Sequence, residues 1–500
     1  MIPLSFAQRR LWFLNKLEGP SATYNIPGAL RLRGPLNRQA MAAALTDVVH
    51  RHEALRTVFP DVGGEPYQCV LGVDDTQLEL EIVECEPGGL PAAVRTAAVY
   101  AFGLAGPRPL IRATLFAIGP DEHVLMIVMH HIVGDGWSTA PLLRDLAHAY
   151  TARSAGHGPD WKPLPVQYVD YTLWQAELLG QADDPGSVLA GQLAFWAKEL
   201  AGAPECLPLP ADRPRPPFAS YRGDAVSFAV DAESHASLAD FAQKRGATMF
   251  MVLHAGLAVL LSRWGAGLDI PVGSPLAGRN DKALDDLVGF FVNTVVVRTD
   301  LSGDPSFSEL LDRVRETALT VLENQDAPFE LVVEHLNPER SPARNPLFQV
   351  MLNVQGGSVA ADLLPGLCVE TEAVRTSTAK LDLTFTVTER FGPDGRPAGL
   401  DGDIAYALDL FDRESVEALA AGLVRVLEAV EAAPDVPVSR VDVLAPGERR
   451  ALLELGRGSP AVAGTGLVPE LFAARAAVEP GLTALVCGSV TMSFGELSGR

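Results

Sequence analysis

The residues best suited to chemistry are His130 and His131, followed after three positions by Asp135 and Gly136. Imidazole is the side chain whose ordinary pKa lets it give or take a proton near neutrality. A carboxylate a few residues on suits a ring partner or an ion pair. A glycine lets backbone approach a reacting atom closely, and its N–H can donate to a developing oxyanion. The histidines end an apolar, partly β-branched run, Val124–Met129. Such a run reads as a buried strand delivering imidazole to an interior space. Successive side chains on a strand point to opposite faces, so the two histidines do not share one cavity. One is then chemical and the other structural.

The neighbouring elements must hold that motif in place. After the Gly134-Asp135-Gly136 turn, Ser138 caps a helix reaching Tyr150, with Pro141 tolerated in its first turn. Upstream, Ser5 caps an amphipathic helix, Ala29 to Leu36 alternates like a strand, and a helix from Asn37 ends within Arg51 to Phe59, where His52 reads as a surface or capping residue. Gln77 to Glu84 reads as a strand, Pro91 to Phe102 as a helix, and Tyr168 opens another helix rich in aromatics. A connector from Pro204 to Arg222 carries six prolines. Beyond it come strands at Asp224–Val230, Asp269–Val272, Phe348–Asn353 and Leu381–Glu389. Between and after them lie helices at His235–Arg245, Met249–Trp264, Ser306–Asn324 and Arg413–Ala432. The two halves share a mixed α/β composition without a sequence repeat. Ala433 to Arg450, with three prolines, reads as a linker.

Bulk properties narrow the function classes. The 500 residues carry 40 basic and 62 acidic side chains, a net charge of −22, which argues against nucleic acid and anionic membranes as partners. The five cysteines, Cys69, Cys85, Cys206, Cys368 and Cys487, have neither metal-ligand nor redox spacing. No metal set, phosphate loop or complete nucleotide site is visible before the linker. No apolar stretch reaches about 18 residues, and no leader follows Met1, so the chain is expected to be soluble and cytoplasmic. Both ends look cut, as in a piece of something longer.

The spacing His-His-x-x-x-Asp-Gly resembles the signature of condensation domains of nonribosomal peptide synthetases, within a superfamily that includes chloramphenicol acetyltransferase. Other core motifs of that family have counterparts here in order. Ser5-Phe6-Ala7-Gln8-Arg9-Arg10-Leu11-Trp12 resembles the first, Arg51 to Phe59 the second, and Tyr168 to Trp174 the fourth. Val288-Gly289-Phe290-Phe291-Val292-Asn293-Thr294 is similar to the fifth, and Arg344 to Phe348 to the seventh. Asn324 to Glu330 resembles the sixth, with Asn324 where histidine is usual. After the linker, Leu467 to Phe472 and Thr491 to Leu497 resemble the opening of an adenylation domain.

The resemblance implies an α/β fold of two acetyltransferase-like subdomains, a V-shaped pseudo-dimer with a central tunnel. The expected boundaries are residues 1–178 and 179–445, with 446–500 as linker and adenylation start. The implied reaction is amide-bond formation: the amine of an acceptor aminoacyl thioester attacks a donor peptidyl thioester. Both substrates would arrive on 4′-phosphopantetheine arms of donor and acceptor carrier proteins, and no cofactor or metal would be bound by the domain itself. Under this reading His131 faces the substrates, as proton acceptor or as an orienting hydrogen-bond partner, and the N–H of Gly136 is an oxyanion donor. His130 is then a core histidine, and Asp135 is a structural carboxylate paired with Arg279. Trp137, Ser138, Asn293, Ser377 and Thr378 are candidates to line the tunnel.

Heterocyclisation members carry aspartates in place of the first histidines, a pattern absent here, and Asp135-Gly136-Trp137-Ser138 fits condensation better than epimerisation. Gly134 and the phrase Ser21 to Pro27 look like members that accept a D-configured donor. The alternative is a catalytically silent platform of the same fold that recruits carriers or tailoring enzymes. Such members usually lose histidines of the motif.

Overall fold

The computed structural model describes residues 1–356, 363–372, 374, 376–457 and 467–500. The architecture is α/β. Its large strands are β1 (Asn25–Arg33), β2 (Leu80–Glu84), β3 (Ile111–Gly119), β4 (Glu122–His130), β5 (Gly223–Val230), β6 (Asp269–Leu276), β7 (Asn293–Asp300), β8 (Val350–Gly356), β9 (Cys368–Glu372), β10 (Leu383–Phe391) and β11 (Pro397–Ala407). They form a five-stranded sheet ordered β9-β1-β4-β3-β2 and a six-stranded sheet ordered β7-β6-β8-β10-β11-β5. Both sheets mix parallel and antiparallel neighbours, and neither closes into a barrel.

β4 lies inside its sheet, antiparallel to β1 along its whole length, with Asn25 opposite His130. Every residue of β4 from His123 onward is buried. Burial on both faces explains its nearly continuous apolar sequence. β9 comes from the second half of the chain yet pairs with β1, Ala29 facing Glu372 and Arg33 facing Cys368. The core around β4 also takes Leu284, Leu287, Val288, Phe290 and Phe291 from the second half.

The chain divides into two compact units, Met1–Val443 and Leu444–Arg500. The smaller contains helices Pro446–Arg457, Val468–Val478 and Phe494–Ser498 and a hairpin of Thr483–Cys487 with Val490–Ser493. The stretch read as a linker is therefore partly structured: Val438, Val441 and Val443 are buried, and a helix starts at Pro446.

The second helix ends at Arg51, where the expected end segment begins, because His52 takes an extended backbone (φ −102°, ψ 102°) and a short 3₁₀ turn follows. Other elements depart from the sequence reading. β3, β7 and β11 went unread as strands, as did helices Val188–Glu199 and Phe329–Leu336. A helix from Met249 to Ala266 is long and apolar enough to cross a membrane by length and composition, contrary to the expectation that no such stretch exists. Most of it is buried in the core, and Gly256 packs against Leu427 of helix Arg413–Ala432.

Candidate active site

β4 places His130 inside the sheet, and the chain turns into a 3₁₀ helix, His131–Val133, immediately after it. The turn sends the two imidazoles to different surroundings. Nδ1 of His130 accepts the Ile132 N–H at 3.2 Å, and the ring packs edge-on against Phe102. His131 is half-buried, its N–H donates to the Tyr24 carbonyl at 2.7 Å, and its ring meets Phe290 edge-on at 4.7 Å. Its Nδ1 is buried without a hydrogen-bond partner.

Burial first, and then the Lys380 ammonium, lowers the pKa of both rings to about 3. Both imidazoles are neutral at physiological pH.

Asp135 is fully buried. Its Oδ1 accepts the Ser138 N–H at 2.9 Å and the Ser138 hydroxyl at 2.8 Å. Its Oδ2 accepts the N–H groups of Phe291 at 2.9 Å and Val292 at 3.2 Å. Arg279 Nη2 lies 3.5 Å from Oδ1 and donates to Ser138 Oγ at 3.2 Å. The guanidinium stacks over Phe291 at 4.2 Å, and its Nη1 donates to the Leu284 and Leu287 carbonyls. Burial holds the Asp135 carboxyl above the usual carboxylate range, against the opposing pull of Arg279. This carboxylate ties the histidine loop of the first half to the 279–292 segment of the second.

Other quoted motifs converge on the same loop. Gln8 Nε2 donates to the Ile132 carbonyl at 3.2 Å. Tyr168 Oη donates to the Phe290 carbonyl at 2.6 Å and meets Ser5 Oγ at 2.9 Å. A Cβ on Gly289 would stand 2.2 Å from the Tyr168 ring, so this approach requires glycine. His52, read from sequence as a surface or capping residue, is buried: Nε2 lies 2.9 Å from Asp145, and Nδ1 accepts the Val288 N–H at 3.3 Å.

The remaining candidates are dispersed. Gly136 is exposed at the start of a 3₁₀ turn, and Trp137 beside it is 38% exposed. Ser138 is buried in the Asp135 network, and its Oγ also accepts the Gly289 N–H at 3.1 Å. The Asn293 carboxamide is fully used: Nδ2 donates to Gln325 and Ala327 carbonyls, and Oδ1 accepts N–H groups of Thr294 and Phe329. Ser377 has a left-handed backbone (φ 53°), and Thr378 bridges to Arg222.

Sequence reading passed over two residues of this region, Tyr24 and Lys380. Lys380 Nζ sits 4.7 Å from the Tyr24 ring centroid. It is exposed to solvent by surface area, yet burial and then Arg10 lower its pKa to about 8. Lys380 is thus solvent-accessible and at the same time closely surrounded by protein. Lys380 stood in the sequence next to Ser377 and Thr378, but nothing in its spacing linked it to His131.

Comparison with known proteins agrees with the motif order. The condensation-domain family model matches residues 1–453. The chain is 53% identical over 498 residues to a probable non-canonical nonribosomal peptide synthetase of Salinispora arenicola, covering 100% of this chain and 6% of that protein. It is 50% identical over 499 residues to a dimodular nonribosomal peptide synthase of Bacillus subtilis, covering 100% of this chain and 21% of that one. The chain thus spans about a fifth or less of these relatives. Among solved structures, a complex of the X-domain and OxyB from teicoplanin biosynthesis superposes with TM-score 0.81 at 37% identity, over 89% of this chain and 96% of that one. With its two sheets, its histidine loop and its ordered motifs matched over nine-tenths of its length, the chain belongs to the condensation-domain family of nonribosomal peptide synthetases.

Proposed function

We propose that this chain catalyses amide-bond formation between a donor peptidyl or aminoacyl thioester and an acceptor aminoacyl thioester, each held on a carrier protein's phosphopantetheine arm. The observation that carries the reading is His131: an intact motif histidine, neutral and half-buried at the end of β4, with its loop locked by Asp135. The thioester is already activated, so the reaction needs juxtaposition and the handling of one proton. The amine lone pair forms the C–N bond and the carbonyl pair moves onto oxygen. Collapse breaks the C–S bond, and the sulfur leaves as thiol with the amine's surplus proton.

A ring with a pKa of about 3 is a weak base, so its chief contribution is to accept a hydrogen bond from the attacking amine and orient it. Orientation supplies on the order of 7–11 kcal/mol in favourable cases. General-base catalysis gives roughly 10²–10⁴-fold, the smaller share. Asp135 and Arg279 act as supports of the loop. The Gly136 N–H remains a candidate oxyanion donor, and Trp137 and Ser377 are accessible candidates for substrate contact. The domain itself would need no metal or cofactor, and an adenylation domain would follow residue 446 in the same chain. We retain the D-configured donor as the expected class.

The test is intact-protein mass spectrometry of dipeptide formed on an acceptor carrier, with loaded donor and acceptor carriers. Product from the unmodified chain and a slowing of at least about a hundredfold in His131→Ala support the reading. Equal rates remove His131 from the chemistry. A second reading, a silent docking platform, draws on the likeness to the X-domain found in complex with OxyB. It becomes the better one if no donor of either chirality yields product.

A further inference from the structure

The site holds a cation that the reaction as described does not use. Lys380 follows a short segment bonded to Tyr221–Gly223: the Ala379 N–H donates to the Tyr221 carbonyl at 3.0 Å, and the Gly223 N–H to the Ser377 carbonyl at 2.9 Å. A Cβ on Gly223 would stand 2.7 Å from Ala379, so this close approach needs glycine. From that anchor in the second half, Lys380 reaches the Tyr24 ring of the first. The carbonyl of the same Tyr24 accepts the His131 N–H at 2.7 Å. Tyr24 therefore touches the ammonium through its ring and the His131 main chain through its carbonyl.

The charged and titratable groups around Lys380 are Arg10, Tyr24, His130 and His131. Of the two carboxylates that act on Tyr24, Glu330 is spent on Arg10 at 3.4 Å, and Glu18 accepts the Tyr221 hydroxyl at 3.4 Å. Among the described residues no carboxylate pairs with Lys380. A cation closely surrounded by protein and without a carboxylate partner is costly. Its position beside His131 gives that cost a use.

Resting on the reading of this site as the place of amide-bond formation, we propose that Lys380 is a charge filter: its ammonium, held over Tyr24 beside His131, disfavours the ammonium form of the acceptor α-amine and admits the neutral nucleophile. A free α-amine titrates near about 8, so at neutral pH most of it is protonated and cannot attack. A like charge nearby favours the neutral form, and each unit of displacement multiplies the reactive fraction about tenfold. The proton passes to solvent before attack, and Lys380 forms no bond to the substrates. It is a positioning residue acting through its field.

The experiment is single-turnover condensation with loaded carriers from about pH 6 to about pH 9, comparing the unmodified chain with Lys380→Met and Lys380→Arg. In Lys380→Met the rate is expected to fall about tenfold at the acid end and less than about threefold at the alkaline end, with the acid limb moved up by about one unit. Lys380→Arg keeps the original limb. A uniform loss at every pH in Lys380→Met, or an Arg variant that behaves like the Met variant, overturns the proposal. Binding of a non-reactive aminoacyl-pantetheine amide, measured by calorimetry over the same range, gives a readout independent of turnover. It should tighten with pH in the unmodified chain and lose that dependence in Lys380→Met. If the unmodified chain yields no product, the condensation reading fails, and Lys380 is judged by the binding alone. Identical pH dependence in the two proteins then overturns the filter.

Discussion

His130 and His131 are adjacent in sequence, share a lowered pKa and have different partners. His130 spends Nδ1 on its own turn, whereas Nδ1 of His131 is buried without a partner. Their neutrality has a measurable consequence for stability. Each ring has an ordinary pKa of 6.5 and a folded value of about 3. Between those values the unfolded chain binds protons that the folded chain refuses. The stabilisation is thus complete above about pH 6.5 and is lost as pH falls toward 3. In His131→Gln the loss of melting temperature from about pH 7 to about pH 5 should be shallower than in the unmodified chain. Equal slopes would mean that His131 is not held neutral by the fold.

The histidine loop is short and irregular, so its geometry depends on the elements that grip it. Asp135 supplies acceptors to four donors, two of them backbone N–H groups from across the chain. Deleting the carboxylate would strand those donors together with Arg279, which is itself nearly buried. Asp135→Ala is expected to lower stability by about 3–5 kcal/mol. Asp135→Asn, which keeps the shape and one acceptor, should cost less, about 1–3 kcal/mol. Denaturant midpoints of the two variants check the order. If Ala is as stable as Asn, the network is not what holds the loop. Tyr168, Gln8 and His52 perform related work from three different elements, which explains why motifs far apart in sequence surround one turn.

At the scale of the molecule, the two halves share a sheet through β9. That strand is held beside β1 by Arg31, which bridges Glu122 at 2.6 Å and Glu372 at 2.8 Å, and by Arg33 with Glu370 at 2.7 Å. Partly exposed pairs of this kind contribute about 0.2–1 kcal/mol each. Their effect on a short edge strand is larger than on the whole fold, because the strand opens locally. Reversing both charges, Arg31→Glu with Arg33→Glu, should speed proteolytic cleavage within Cys368–Glu372 by about three- to tenfold while shifting global unfolding little. Mass mapping of the early fragments decides, and unchanged cleavage would show that backbone pairing alone holds the strand.

The sequence by itself determined the catalytic candidate and the general class of the fold. The apolar run into two histidines required a buried strand ending at a turn, and the ordered motifs pointed to one family. The Ser5 cap marked a helix start because a side-chain oxygen must satisfy nearby N–H groups. What the sequence could not supply was partnership across distance. β3 is largely apolar, and a strand buried on both faces loses the period-two signal that reveals it, whereas β7 has only Val295–Val297 as an apolar run between polar ends. His52 looked like a helix-end residue because Asp145 and Val288 lie 93 and 236 positions away. Asn293 and Ser138 carried the polarity of substrate contacts, but tertiary structure spends their hydrogen bonds on the frame. Only the folded chain brought Lys380 to Tyr24 and so to His131, because burial and electrostatic coupling depend on separation in space and not on separation along the chain.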